Sequence, residues 1–115
     1  MSTRRFGLSS ATVEKICGVL ASHPQVENAV VYGSRAKGTY KNGSDIDLTL
    51  EGPELTFDEL LTIMGELDDL LLPYTIDLSL LRNIDHPALR EHIERAGQEL
   101  YRREDSGVPI VAEHP

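Results

Sequence analysis

Apolar positions along the chain follow two periods. In the first stretch, Val13, Ile16, Cys17 and Leu20 recur at i, i+3, i+4 and i+7, the buried stripe of a helix that Ser9 or Ser10 can cap. His23-Pro24 stops it, because proline disfavours helical backbone in the residue before it. Residues 28–32 form an apolar run into Gly33 and read as a buried strand. Residues 45–51 alternate, with Ile46, Leu48 and Leu50 on one side and Asp45, Asp47 and Thr49 on the other. Gly52-Pro53 ends that strand. Thr56, with Glu59 three residues on, forms a capping box for a helix carrying Leu60, Leu61, Met64, Leu67 and Leu71 on one face and acids on the other. Pro73 closes it. Residues 75–81 alternate again, Ile76, Leu78 and Leu80 opposite Asp77 and Ser79. Asp85 can cap a last helix with Pro87 in its first turn and Ala88, Leu89, His92, Ile93 and Ala96 as its core side. Gly97 ends it, and residues 99–101 add a short edge strand. The order predicts an α/β (α+β) domain, a small mixed β-sheet with helices packed on it. That domain spans residues 9–103, after a flexible lead-in over 1–8 and before a flexible tail over 104–115.

Composition narrows the function. The 115 residues suit one domain. A net charge of -8 and a pI near 4.8 argue against a general nucleic-acid binder, which carries a basic face. A nucleotide substrate stays open, because a bound cation inverts the local field. Cys17, the single cysteine, excludes an intramolecular disulfide and a thiolate cluster; it reads as a small core residue. No apolar run approaches a membrane span and the first residues lack a signal-type apolar core, so the cytoplasm is the expected compartment. His23, His86, His92 and His114 have no metal-ligand spacing. Glu66, Asp68 and Asp69 read as a solvated helix face.

Candidate chemistry concentrates in residues 33–47. Gly33 at a strand end lets backbone approach a ligand closely. A following helical turn from Ser34 aims N–H groups outward as an anion site, and Arg35 and Lys37 add charge that can pair with phosphate oxygens. Asp45 and Asp47, two apart on a strand, share a face at a Cα separation of ~7 Å. Two carboxylates so placed repel unless a cation lies between them, and Mg2+ suits them. Asp77, an acid inside an apolar strand, is the third carboxylate expected at the same pocket. Three such groups can hold two metal ions for an in-line displacement. Tyr40, in the loop between, could stack on a base.

Gly33-Ser34, Arg35-Ala36-Lys37-Gly38 and Ser44-Asp45-Ile46-Asp47-Leu48 together resemble the signature of the nucleotidyltransferase superfamily related to DNA polymerase beta. The small size and flanking pattern are similar to its minimal (MNT) branch, and Asp77 in Thr75-Ile76-Asp77-Leu78 matches the third acid of active members. Lys37 departs from the arginine often found there, keeping charge without bidentate geometry. The resemblance implies that ATP binds with its phosphates at Gly33, Ser34, Arg35, Lys37 and Ser44 and on Mg2+. It implies Asp45, Asp47 and Asp77 as catalytic metal ligands, Asp77 also helping to take a proton from the attacking hydroxyl. The minimal branch often pairs with a helical HEPN-type protein in a toxin–antitoxin system, so the implied function is AMP transfer to a tyrosine of such a toxin. Two other functions stay open: a nucleotidyltransferase for a small, aminoglycoside-like acceptor completed by a partner subunit, and a binding module that neutralises its partner by contact alone. The sequence carries no base-reading motif and leaves oligomeric state open.

Overall fold

The chain opens on a hairpin where a loose lead-in was expected. In the computed structural model, which describes residues 4–41, 44–103 and 109–111, β1 (Arg4–Arg5) pairs antiparallel with β2 (Leu8–Ser9). Phe6 and Gly7 between them take positive φ, 58° and 75°, as a two-residue type I′ hairpin turn requires. Leu8 is fully buried, so the hairpin belongs to the core. Strands this short carry no periodicity to read.

Helix α1 (Ser10–Ala21) is capped by Ser9, whose Oγ accepts from the Thr12 N–H at 3.2 Å. Val13, Ile16, Cys17 and Leu20 are buried along it as the spacing predicts. Strand β3 (Asn28–Tyr32) runs into the short α2 (Ser34–Lys37), and β4 (Ile46–Glu51) follows the loop. Helix α3 (Phe57–Asp68) crosses back to β5 (Ile76–Leu80). A helical turn at Leu81–Asn83 leads to α4 (Pro87–Ala96), then β6 (Gln98–Arg103) and β7 (Pro109–Val111). The main sheet has the order β5-β4-β3-β6-β7. Only β4 and β5 pair in parallel, as the crossover through α3 permits; the other neighbours are antiparallel.

Two expectations are corrected here. The expected edge strand at 99–101 is the longer β6, interior to the sheet between β3 and β7, with Tyr101 fully buried. Part of the expected flexible tail, Pro109–Val111, pairs with β6; residues 104–108 and 112–115 lie outside the described residues, as do 1–3.

One sheet face carries Ala29, Val31, Ile46, Leu48, Leu50, Leu78 and Leu80, which join the buried residues of α1 and α3 in a single core cluster. The register sets Val30 opposite Thr49 and Tyr32 opposite Asp47, so the second face carries Val30, Tyr32, Asp47, Thr49, Asp77 and Ser79. That second face is not simply solvated, because Thr49 is fully buried.

Helix α3 departs from its expected face. Thr56 caps it, with Oγ1 accepting from the Glu59 N–H at 3.1 Å. Leu60, Ile63 and Leu67 are buried, whereas Leu61 and Met64 are exposed. The helix ends at Asp68, before Pro73, and leaves Leu71 outside it, 87% exposed with φ 55°. Two adjacent arcs of this helix are apolar and periodicity alone merges them. At α4 the cap is His86 rather than Asp85, its Nδ1 accepting from the Leu89 N–H at 3.3 Å. An imidazole acceptor does the work expected of a carboxylate.

His23 locks α3 to the end of α1. Its Nδ1 lies 2.9 Å from Glu59 and its Nε2 2.8 Å from Glu66. Glu59 therefore completes no reciprocal capping box; its carboxylate faces His23 instead. Burial opposes the charged imidazole, but the hydrogen bonds and charges of Glu66 and Glu59 outweigh it and raise the His23 pKa above the ordinary 6.5. A raised folded pKa adds stability that is full below the unfolded value and fades as pH climbs through the folded one. The melting-temperature gap between wild type and His23→Gln is therefore expected to be widest near pH 6 and to narrow as pH rises above 6.5. A gap that widens with pH would contradict the clamp.

Candidate active site

The site begins where β3 ends. Gly33 has φ 77° and ψ -152°, a conformation open essentially to glycine alone. A Cβ there would also run into Oδ2 of Asp47. Backbone and carboxylate are thus in contact across the β3–β4 pair, an approach no other residue permits. The Lys37 N–H closes onto the Gly33 carbonyl at 3.1 Å and the Thr39 N–H onto the Ser34 carbonyl at 3.0 Å, so residues 33–39 form a tight bend. Lys37 is exposed and Ser34 half-buried.

The carboxylates come from β4 and β5. Asp47 is the register partner of Asp77 in the parallel pair and of Tyr32 in the antiparallel one. Tyr32, Asp47 and Asp77 therefore lie abreast on one face of three adjacent strands. Asp45 stands two residues before Asp47, just ahead of β4, exposed like Asp77. Burial first, then the charges of Asp77 and Asp45, raise the Asp47 pKa above its ordinary 3.8, with His92 partly opposing. A half-buried carboxylate crowded by two others is where a divalent cation gains most.

Among the described residues, no three His, Cys, Asp or Glu side chains converge tightly enough to cage an ion. Mg2+ does not require that: it commonly takes one or two carboxylates and fills its remaining positions with water and substrate phosphate. The Asp47–Asp77 pair, with Asp45 beside it, fits an ion held jointly with a triphosphate, not one resident in an all-protein site.

Arg35 has partners that the motif does not announce. The resemblance assigned it to phosphate, but the side chain is 3% exposed and its guanidinium is already committed. Nε and Nη2 donate to the Ser44 carbonyl at 3.1 and 2.8 Å, and Nη1 donates to the Phe6 carbonyl at 2.6 Å. The rings of Tyr40 and Tyr74 lie 5.0 and 4.8 Å from its centre, within cation–π range. Arg35 thereby ties the hairpin, the residue preceding Asp45 and the approach to β5 into one block. Tyr40, expected to meet a base, packs on Arg35. Ser44, expected at phosphate, uses its Oγ to accept from the Lys41 N–H at 2.9 Å and shapes the turn before Asp45.

Two residues escaped the sequence reading. The Gly33 N–H donates to Nε2 of His92 at 2.9 Å, and the amide expected to face an anion is held by α4. The His92 ring also meets Tyr32 edge-on at a centroid distance of 6.3 Å. The available signal was a histidine among the apolar positions of the last helix. The second is Tyr32, whose hydroxyl pKa is raised by burial and by the charges of Asp47 and Asp77, with Ser79 opposing.

A cavity of about 440 Å³ opens elsewhere, against Leu50, Glu51, Arg82 and Arg90 at the other end of β4, and touches none of the candidate site residues. At the site itself Asp45 and Asp77 are exposed and Asp47 is half-buried.

Replacing Arg35 tests the clamp against the phosphate role. Arg35→Lys removes the planar fork and leaves part-buried carbonyls short of donors, at a cost of about 1 kcal/mol. A clear fall in melting temperature with the affinity for ATP analogues kept in the folded fraction is expected. Unchanged stability with lost nucleotide binding would restore the phosphate assignment.

The chain can now be set beside known proteins. The family described as "Polymerase beta, Nucleotidyltransferase" matches residues 14–106. No curated protein sequence matches. Among solved structures, a toxin–antitoxin complex with AMP-PNP aligns at TM-score 0.64 and 23% identity, over 83% of this chain and 77% of that one. A tri-AMPylated Shewanella oneidensis HEPN toxin in complex with its MNT antitoxin aligns at TM-score 0.58 and 20% identity, over 77% of this chain and 68% of that one. At such identities the likeness establishes a shared fold. With the Gly33 bend, the abreast aspartates and a family match over most of its length, this chain belongs to the polymerase beta nucleotidyltransferase family.

Proposed function

We propose that this chain is a cytoplasmic, Mg2+-dependent enzyme that moves AMP from ATP onto a tyrosine hydroxyl of a HEPN-type helical toxin, and so acts as its antitoxin. The observation that carries the reading is Asp47 abreast of Asp77, with the Asp47 carboxylate against the Gly33 bend. The fold likeness to a toxin–antitoxin structure with AMP-PNP and to one with an AMPylated HEPN toxin supports the nucleotide and the partner. The exposure of Asp45 and Asp77 supports a protein acceptor. Small-molecule sites bury most of their ligand in a concave pocket, whereas Asp45 and Asp77 are exposed and suit a side chain delivered by a docked partner. The same openness disfavours an aminoglycoside-like acceptor.

In this reading the bend at Gly33 lets the phosphate tail come close and Ser34 holds it, with Lys37 near its exposed end and Ser44 shaping the loop. Asp45 and Asp47 would hold one Mg2+ and Asp77 a second. The ions would supply charge that neutralises the triphosphate and polarises its α-phosphoryl group. Asp77 accepts the proton of the acceptor hydroxyl. The hydroxyl oxygen bonds to the α-phosphorus, the bond from that phosphorus to the α–β bridging oxygen breaks, and pyrophosphate leaves with the electron pair. Most of the rate comes from alignment of these groups.

With ATP labelled on its α-phosphate, Mg2+ and a HEPN-type protein from the same genome, label is expected on the HEPN protein. Asp77→Asn is expected to slow transfer at least about 100-fold while the complex stays intact. A stable complex with no label would defeat the enzymatic reading and leave neutralisation by contact.

A further inference from the structure

Among the described residues, the large apolar side chains that the fold leaves exposed are not scattered. Phe57 is 57% exposed, Leu61 49%, Met64 36% and Leu71 87%. All four belong to α3 or the turn just after it, at successive spacings of four, three and seven residues. Phe57, Leu61 and Met64 thus form one seam along the helix, a spacing that suits packing on another helix, and Leu71 follows just past its end. The seam is centred roughly 100° round the helix from the buried stripe of Leu60, Ile63 and Leu67, so core packing does not account for it. Leu71 adds a second peculiarity. Its φ of 55° is a conformation that bulky side chains rarely adopt, and the residue so held is the most exposed of the four.

Charge identifies the occupant. Residues 52–81 carry seven carboxylates and no lysine, arginine or histidine. Asp58, Asp68 and Asp69 border the seam and are exposed. A second copy of this chain would bring acid against acid across the seam, so self-pairing is disfavoured. A helical face with an apolar centre and a lysine- or arginine-rich rim is complementary. Helix α3 packs under the sheet face opposite the aspartates, but its exposed end comes close to them, since Leu71 is six residues from Asp77 and so at most about 20 Å from it.

We propose that the α3 seam, Phe57, Leu61, Met64 and Leu71 with its acidic border, is the docking surface for a basic helical partner protein and delivers that partner's acceptor residue to the aspartates. The inference rests on the protein-acceptor reading of the active site.

The test uses the full chain and a purified HEPN-type protein from the same genome, with affinity and AMP transfer measured separately. Leu61→Asp/Met64→Asp, at exposed positions, is expected to weaken binding about 50-fold and to abolish labelling of the partner. Its melting curve and its affinity for AMP-PNP should match wild type. Asp68→Lys/Asp69→Lys places cations at a helix C-terminus, where they are tolerated. It is expected to weaken binding about 10-fold and flatten its salt dependence. The Asp45→Asn/Asp47→Asn variant should bind normally and transfer nothing. Wild-type chain that binds no HEPN-type protein, or seam variants that bind like wild type, would overturn the docking surface. So would a dimer of the chain alone that the seam variant dissociates. Transfer that persists in the seam variants removes the docking surface and keeps the enzymatic reading. Binding through the seam without any transfer removes the enzymatic reading and keeps the docking surface.

Discussion

The in-register parallel pairing of β4 with β5 is the constraint on which the rest of the structure depends. It sets Asp47 beside Asp77 while Leu48 pairs with Leu78 and Leu50 with Leu80. A slip of one residue would turn Asp77 and Ser79 into the core and expose both leucines. Burial of Leu48, Leu50, Leu78 and Leu80 therefore fixes the spacing of the carboxylates on the other face. Core packing and site geometry are two sides of the same strands, and substitutions in the core act on the site through register.

Arginine has an unexpected role in this acidic protein. Arg35 holds the Phe6 and Ser44 carbonyls, Arg82 those of Gly52 and Leu55, Arg90 those of Leu81 and Ile84, and Arg103 those of Ala21, His23 and Val26. Irregular backbone that leaves a ladder still needs hydrogen-bond partners when it is covered. A guanidinium supplies several donors in one plane and can serve two turns at once. The loops flanking the sheet are closed largely by these forks. Arg35, which the motif marked for phosphate, contributes to the site by holding its frame.

Much of this was legible in the sequence, because the informative signals were local. Alternation in residues 45–51 and 75–81 put Asp47 and Asp77 on the polar side of each strand, and the glycine at position 33 marked a close approach. Less legible was anything decided by long-range partners. The Arg35 acceptors lie in the hairpin and the Ser44 turn, and the His92 acceptor nitrogen meets an amide 59 residues away. Nothing in their neighbourhoods announces those contacts. The face of α3 was misread for a different reason: it is apolar over two arcs, and only the fold reveals which arc the sheet covers. The exposed arc is what makes a partner surface visible at all.

The aspartates and the glycine bend reduce to one claim, that Asp47 and Asp77 bind divalent cations together with a triphosphate. Electron paramagnetic resonance of Mn2+ titrated into the chain with AMP-PNP tests it most directly. The account predicts tight Mn2+ binding that requires the nucleotide and is lost in Asp47→Asn and again in Asp77→Asn, with both variants folded. Mn2+ binding that is indifferent to either substitution would contradict it.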